Sequence, residues 1–327
     1  MKKFRSHRLC IAPMMDHTDR HFRYLMRLLS KHAVLYTEMI TTGALIHGDK
    51  KRFLKFNDTE HPVAIQLGGS NPSELAECAK LAEKENYDEV NLNIGCPSDR
   101  VQNGQFGACL MSKPKLVAQC VRHIMDRVSI PVTVKTRIGI DEYDDYQFLN
   151  EFIQTVSESG CETFIIHARK AVLKGLSPKE NRDIPPLNYE RVHAIKQNFP
   201  HLNIIINGGL TDTNSVMQQL EFIDGVMIGR AAYQNPFWLA ELDQMLFQSE
   251  REISNRKKIF EEYCQYMLNQ AAQGIKLKSM SRHIIGLFQG QPGARKYRQY
   301  LSAGHPDIDQ NSPAILEAAI KSISSIS

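Results

Sequence analysis

From the N-terminus to about residue 240, short apolar runs alternate with longer stretches of helical periodicity. The runs fall at residues 9–12, 34–37, 63–67, 89–93, 132–135, 163–167, 204–207 and 226–228. Most have continuous apolar cores, the pattern of parallel strands covered on both faces. The stretches between them carry helix start signals. Asn71-Pro72-Ser73-Glu74 supplies an N-cap, a first-turn proline and a glutamate three residues after the cap. Leu75, Cys78, Ala79 and Ala82 then share one helical face, and after Pro114 so do Val117, Val121, Ile124 and Val128. Eight strand–helix units predict an α/β fold of the TIM (β/α)8 barrel type. A doubly wound open sheet is the alternative; the count of eight, with glycines after the seventh and eighth runs, favours the barrel.

After Leu246 the pattern changes. Helices are expected at 256–272, 279–287, 292–301 and 313–323, with no convincing strand. The expected division is a barrel domain over 1–247 and a small all-helical domain over 248–327.

A barrel places its chemistry at the carboxyl ends of the strands, and there the chain is polar. The run ends read Pro13-Met14-Met15-Asp16, Gln66-Leu67-Gly68-Gly69, Asn93-Ile94-Gly95-Cys96-Pro97, Lys135-Thr136-Arg137, His167-Ala168-Arg169, Asn207-Gly208-Gly209 and Gly229-Arg230. Polar groups at nearly every end point to one shared site. Gly208-Gly209 and Gly229-Arg230 suit a phosphate, because glycine lets backbone N–H groups approach the oxygens and Arg230 adds charge-assisted bonds. Gln66, Lys135 and a backbone group near Met14 suit the polar edge of a flavin, with the lysine stabilising the reduced, anionic ring. The bland reading of Lys135 is a structural ion pair inside the barrel; that of His167 is a satisfied rim residue. Cys96 sits between a glycine and a proline in a rim loop, where a thiol serves as nucleophile or general acid. Residues 99–108 carry Gly104 and Gly107 and are expected to form a mobile lid. Cys10, Cys78, Cys120, Cys161 and Cys264 are expected to be buried and inert; Cys109 is left open.

Composition narrows the setting. No apolar run is long enough to span a bilayer, and the basic start of the chain lacks the apolar core of a signal peptide. Seven scattered cysteines without a Cys-x-x-Cys pair argue against a disulfide framework or a zinc site and fit a reducing cytoplasm. No metal and no membrane are expected, and the protein is expected to be monomeric. Net charge is only +4, but Lys276, Lys278, Arg282, Arg295, Lys296 and Arg298 lie in a stretch, from Cys264 to Pro306, that holds no acid. Such a basic face is the footprint of a polyanion partner or, more plainly, a solvated helical surface.

Taken together, Ala12-Pro13-Met14, Gln66-Leu67-Gly68-Gly69, Asn91-Leu92-Asn93-Ile94-Gly95-Cys96-Pro97, Val134-Lys135-Thr136-Arg137, Ile166-His167-Ala168-Arg169 and Asn207-Gly208-Gly209 resemble the tRNA-dihydrouridine synthase family over essentially the whole chain. Two further runs, one after Val132 and one from His167 through Leu187, resemble its bacterial A-type branch. The resemblance implies that NADPH reduces FMN, that the flavin N5 gives hydride to C6 of a uracil in tRNA, and that Cys96 protonates C5. It implies FMN contacts at Pro13, Met14, Met15, Gln66, Lys135, His167, Asn207, Gly208, Gly209, Gly229 and Arg230. It places Asn93 against the uracil or its ribose, and the basic pairs Lys179/Arg182 and Arg295/Arg298 against tRNA. Its A-type branch implies uridines 20 and 20a of the D-loop. No dinucleotide fingerprint is present, so NADPH is expected to visit the flavin face only transiently. A uridine stacked in folded RNA must be flipped out to react, and basic contacts to the backbone must offset that cost. Two alternatives remain: a flavin barrel enzyme acting on a free small molecule, and a non-catalytic tRNA-binding protein built on the barrel.

Overall fold

The computed structural model describes residues 7–248, 255–303, 308–309 and 311–323. Eight parallel strands close into a barrel in sequential order: β1 Leu9–Ile11, β2 Val34–Thr41, β3 Val63–Gly68, β4 Glu89–Ile94, β5 Val132–Arg137, β6 Thr163–His167, β7 Asn203–Asn207 and β8 Gly225–Ile228. This is the expected TIM barrel, and the open sheet is excluded. Register closes the ring, with Cys10 beside Met227 and His167 beside Asn207. β2, β3, β4 and β5 run one to four residues further toward the mouth than the apolar pattern indicated. Gln66, Asn93 and Lys135 lie within the ranges the apolar pattern indicated, and Arg137 is among the added residues.

Chain contacts divide the molecule into two compact units. One takes the described residues within Met1–Asp16 and Ala33–Gly229; the other takes His17–His32 and those within Arg230–Ser327. The expected boundary lay between 247 and 248. The first unit carries the strands and the helices Pro72–Lys84, Pro114–Met125, Tyr146–Ser157, Tyr189–Asn198 and Thr213–Gln219. Asn71 caps the first of these by accepting from the Ser73 and Glu74 N–H groups, and Leu75, Cys78, Ala79 and Ala82 are buried on its inner face. Val117, Val121 and Ile124 do the same on the next helix, which ends before Val128.

Side chains alternate along each strand, so the inward set is read by counting in twos. One buried cluster inside the barrel is mainly apolar: Cys10, Ala12, Val34, Tyr36, Ala64, Ile165, Ile205 and Met227, with Met14 packed on it.

In the second unit, helices run over Arg20–Leu29, Trp238–Phe247, Arg256–Ala271, Ala294–Ala303 and Ala314–Lys321. The helix expected over 279–287 is not continuous. It is a short turn of helix, Leu277–Ser281, followed by a 3-10 turn, Arg282–Ile284. The tighter turn puts the fully buried His283 within 3.1 Å of the Asp19 carboxylate. Gly286 then presses against the Gln234 backbone, where any Cβ would meet the carbonyl oxygen at 2.2 Å. Cys264 is half-buried rather than buried, with its thiol pushed up to about 12 by its surroundings. No described helix is long and apolar enough to cross a membrane.

Candidate functional site

The strand ends of the first unit converge on one polar mouth. Gln66 ends an inward row on β3 and is 1% exposed. Its backbone N–H donates to Thr37 Oγ1 at 3.0 Å, because β2 breaks register between Tyr36 and Met39 and offers a hydroxyl in place of a ladder carbonyl. The Gln66 side-chain N–H donates to Asn91 Oδ1 at 2.7 Å, and its Oε1 accepts from Asn93 Nδ2 at 2.8 Å.

Lys135 projects from β5 and donates from Nζ to Asn207 Oδ1 at 3.0 Å. It is half-buried, and its only recorded partner is a neutral amide. Burial pulls its ammonium from the usual 10.5 down to about 7; Arg137 adds to this and Cys96 opposes it. Asn207 is itself held by its Nδ2–H to the Met227 carbonyl at 2.8 Å. Among the described residues Lys135 forms no ion pair with an acid.

His167 stands half-buried beside this pair, and Gly208 packs on its ring. Gly208 has φ +110° and a Cβ there would lie 2.6 Å from the imidazole, so both conformation and contact require glycine. The Tyr189 hydroxyl fixes the turn by donating to the Gly208 carbonyl at 2.8 Å. Gly229 lies near Ala12 and Met14 at ordinary contact distance. Pro13 and Met14 are half-buried and Met15 is exposed on the loop after β1; Arg230 is exposed and begins the second unit.

Cys96 is half-buried, on the loop leaving β4. Asn93 Oδ1 accepts from the N–H groups of Gly95 at 3.1 Å and Cys96 at 3.0 Å, an Asx turn that bends the chain over the mouth. The thiol donates to Ser98 Oγ at 3.5 Å. The segment expected to be a mobile lid is stitched down instead. It forms helical turns at Asp99–Asn103 and Gly107–Ser112. Ala108 N–H donates to the Cys96 carbonyl at 2.9 Å, and Gln102 Nε2 donates to the carbonyls of Pro97 and Leu173, each at 2.7 Å. Cys109 is half-buried, with its thiol donating to the Phe106 carbonyl and raised above its usual range by burial.

Arg137 and Asn181 were not singled out from sequence, yet they build the rim. Arg137 is 3% exposed and donates to three carbonyls: Gly95 at 3.0 Å, Lys170 at 3.0 Å and Asn181 at 2.9 Å. Burial lowers its guanidinium to about 10, and it stays charged. Asn181 is fully buried inside the loop after β6. Its Nδ2 donates to Val172 and Leu176 carbonyls and its Oδ1 accepts from Val172 N–H. This internal staple leaves Lys179 and Arg182 on the loop's exposed side. In the second unit Arg295 is exposed, and Arg298 donates to Gln289 Oε1 at 2.7 Å. Among the described residues no cluster of His, Cys, Asp or Glu could hold a metal ion.

The donor set fits a flavin mononucleotide. A lysine and side-chain amides gather at the strand ends, with an apolar cluster against which Met14 packs.

Comparison with known proteins agrees with the geometry. A family model described as dihydrouridine synthase matches residues 10–324. A protein of Vibrio vulnificus named tRNA-dihydrouridine(20/20a) synthase is 60% identical over 296 residues, 90% of each chain. Proteins with the same name from Shewanella oneidensis and Escherichia coli K12 are 59% and 56% identical, over 89% and 97% of this chain and 87% and 91% of theirs. The match spans nearly the whole chain, barrel mouth included, and the chain therefore belongs to the dihydrouridine synthase family.

Proposed function

We propose that the protein reduces the C5=C6 bond of uridines 20 and 20a in the D-loop of tRNA, using FMN and NADPH, and so makes 5,6-dihydrouridine. The observation that carries this is the pairing of a rim thiol, Cys96, with a cationic, amide-lined mouth built from Gln66, Lys135, His167 and Asn207. The names of the relatives supply the substrate.

FMN bound here would supply the hydride for C6, with NADPH as its reductant. The remaining chemistry belongs to the chain. Gln66 and Lys135 would hold the polar edge of the ring, where the ammonium would favour negative charge. Gly208, Gly209 and Gly229 would hold the phosphate, to which Arg230 would also bind, and Pro13, Met14, Met15, His167 and Asn207 would supply the other contacts. Cys96 gives its thiol proton to C5, and solvent restores it. Asn93 holds the Cys96 loop through its Oδ1 and would contact the uracil or its ribose. Lys179, Arg182, Arg295 and Arg298 bind the tRNA backbone.

The deciding experiment maps dihydrouridine in tRNA from cells with and without the gene, and assays the purified protein on tRNA and on free uridine. Loss of dihydrouridine at positions 20 and 20a, with no turnover of free uridine, is the expected result. Turnover of free uridine would favour a small-molecule enzyme, and a colourless protein that never binds FMN would favour a tRNA-binding scaffold.

A further inference from the structure

Between Glu89 and Cys96 the barrel interior holds one unbroken run of hydrogen bonds. Glu89, Asn91 and Asn93 alternate along β4 and so face inward together. Glu89 is the first residue of that strand and is fully buried. Its carboxylate accepts from the Tyr36 hydroxyl at 2.9 Å, the Thr133 hydroxyl at 2.5 Å and His7 Nε2 at 2.6 Å. Asn203 donates to His7 Nδ1 at 3.2 Å, which leaves the ring hydrogen on Nε2, facing Glu89. These three neighbours of the carboxylate are all donors.

The polarity then propagates. Thr133 has spent its one hydrogen on Glu89, so its oxygen accepts from Asn91 Nδ2 at 2.8 Å. Asn91 therefore shows Oδ1 to Gln66 Nε2, Gln66 shows Oε1 to Asn93 Nδ2, and Asn93 shows Oδ1 to the N–H groups of Gly95 and Cys96. All the bonds point the same way. A backbone N–H at one end can only donate, and a carboxylate at the other can only accept. The three amides between have one permitted orientation each, and such chains reinforce their own polarity.

We propose that Glu89 is a positioning residue for the site. From the closed end of the barrel it fixes which end of the Gln66 amide faces the mouth and holds the Cys96 loop through Asn93. That the mouth binds FMN rests on the function proposed above; the control of the Cys96 loop does not. Glu89→Gln keeps the volume but can donate to Thr133. That removes the acceptor-only end that fixes the polarity of the chain, so the Asn91, Gln66 and Asn93 amides are held only from the Gly95 and Cys96 N–H groups. Thr133→Val cuts the relay one step from Glu89 at nearly constant shape.

The test is hydrogen exchange at the Gly95 and Cys96 amides of the full-length protein, with the amides of Ile166 and Ile206 in β6 and β7 as internal references. In both variants Gly95 and Cys96 should exchange roughly tenfold faster, the loss of about one hydrogen bond, with the references unchanged. If Glu89→Gln does not fold, Thr133→Val carries the same reading alone. Unchanged exchange at Gly95 and Cys96 in a folded variant overturns the proposal. Equal acceleration across the barrel also overturns it, because that is what a purely structural role produces. A second reading is the absorption of bound FMN, which should shift in Glu89→Gln as the Gln66 amide turns. A protein that binds no FMN would overturn the cofactor assignment while leaving the exchange result decisive for Glu89.

Discussion

The Arg137 guanidinium donates to the Asn181 carbonyl at 2.9 Å, and through Nε to the Gly95 carbonyl at 3.0 Å. One buried cation thus ties the loop that carries Lys179 and Arg182 to the residue before Cys96. The two loops leave different strands, and the rim between them is as rigid as this fork. Lysine cannot replace it, because a single ammonium does not span three carbonyls in a plane.

Arg137→Met is therefore expected to lower stability by about 2 kcal/mol. Three carbonyls lose their donor, partly offset by relief of the cost of burying the charge. Urea unfolding measures the loss. Limited proteolysis should also cut first within 172–186, the loop the fork releases. An unchanged urea midpoint together with an unchanged cleavage pattern would show that the fork does not hold the rim.

Much of this was legible in the chain. The eight strands and the closed barrel follow from periodicity, because parallel strands buried on both faces leave mostly continuous apolar runs. The site's supports were harder to read. Arg137 is one arginine among many until the fold brings the carbonyls of Gly95, Lys170 and Asn181 around it. Asn181 is an ordinary loop polar residue until the loop closes on its amide. Glu89-x-Asn91-x-Asn93 did carry a signal, since period-two polar residues inside an otherwise buried strand imply a polar barrel interior. The lid expected from Gly104 and Gly107 failed for a physical reason. Gly107 has φ +74° and a Cβ there would meet the Cys96 carbonyl at 2.6 Å, so the glycine marks a close approach rather than a hinge.

Cys96→Ala should separate the two halves of the reaction. The thiol itself donates to Ser98 Oγ and not to Gln66 or Lys135, the proposed cofactor contacts, so FMN should still bind and still be bleached by NADPH. Formation of dihydrouridine should fall by about two to four orders of magnitude, the range for loss of a positioned general acid. Stopped-flow absorbance reads the first half and nucleoside analysis of tRNA reads the second. Wild-type turnover in this variant would remove Cys96 from the proton transfer.

Lys135 makes a prediction about pH. In the unfolded chain its ammonium titrates near its ordinary value of about 10.4, and in the fold it releases its proton at about 7. Between those values the unfolded state binds more protons, so folding stability rises with pH across that window. Below about pH 7 both states are protonated and the whole cost of burying the cation is felt; above the unfolded value it is gone. In cofactor-free protein, Lys135→Met should thus gain most over wild type at or below pH 7, and the gap should narrow toward pH 10. Urea midpoints of both proteins at several pH values test this, and parallel profiles would show that the amine is not perturbed. An anionic ligand beside Lys135 should draw the proton back. FMN binding at pH 8 should accordingly take up a proton, seen as a buffer-dependent binding enthalpy.

The exposed basic pair on the loop after β6 gives the sharpest test of the tRNA interface. Lys179 and Arg182 are held three residues apart by a 3-10 turn, with the Arg182 N–H donating to the Lys179 carbonyl at 3.0 Å. The buried Asn181 between them points inward, so the turn sends both cations outward. If both meet phosphates, changing both to alanine should weaken tRNA binding and flatten its dependence on salt. Each lost contact removes about 0.7–0.9 from the slope of log K against log salt, so the pair should remove about 1.5. Filter binding at several salt concentrations measures that slope directly. Because Asn181 and Arg137 hold the loop through their own side chains, the loop should stay folded in this variant. A weaker affinity with an unchanged slope would mean that the loop had been disturbed, not that phosphate contacts had been lost.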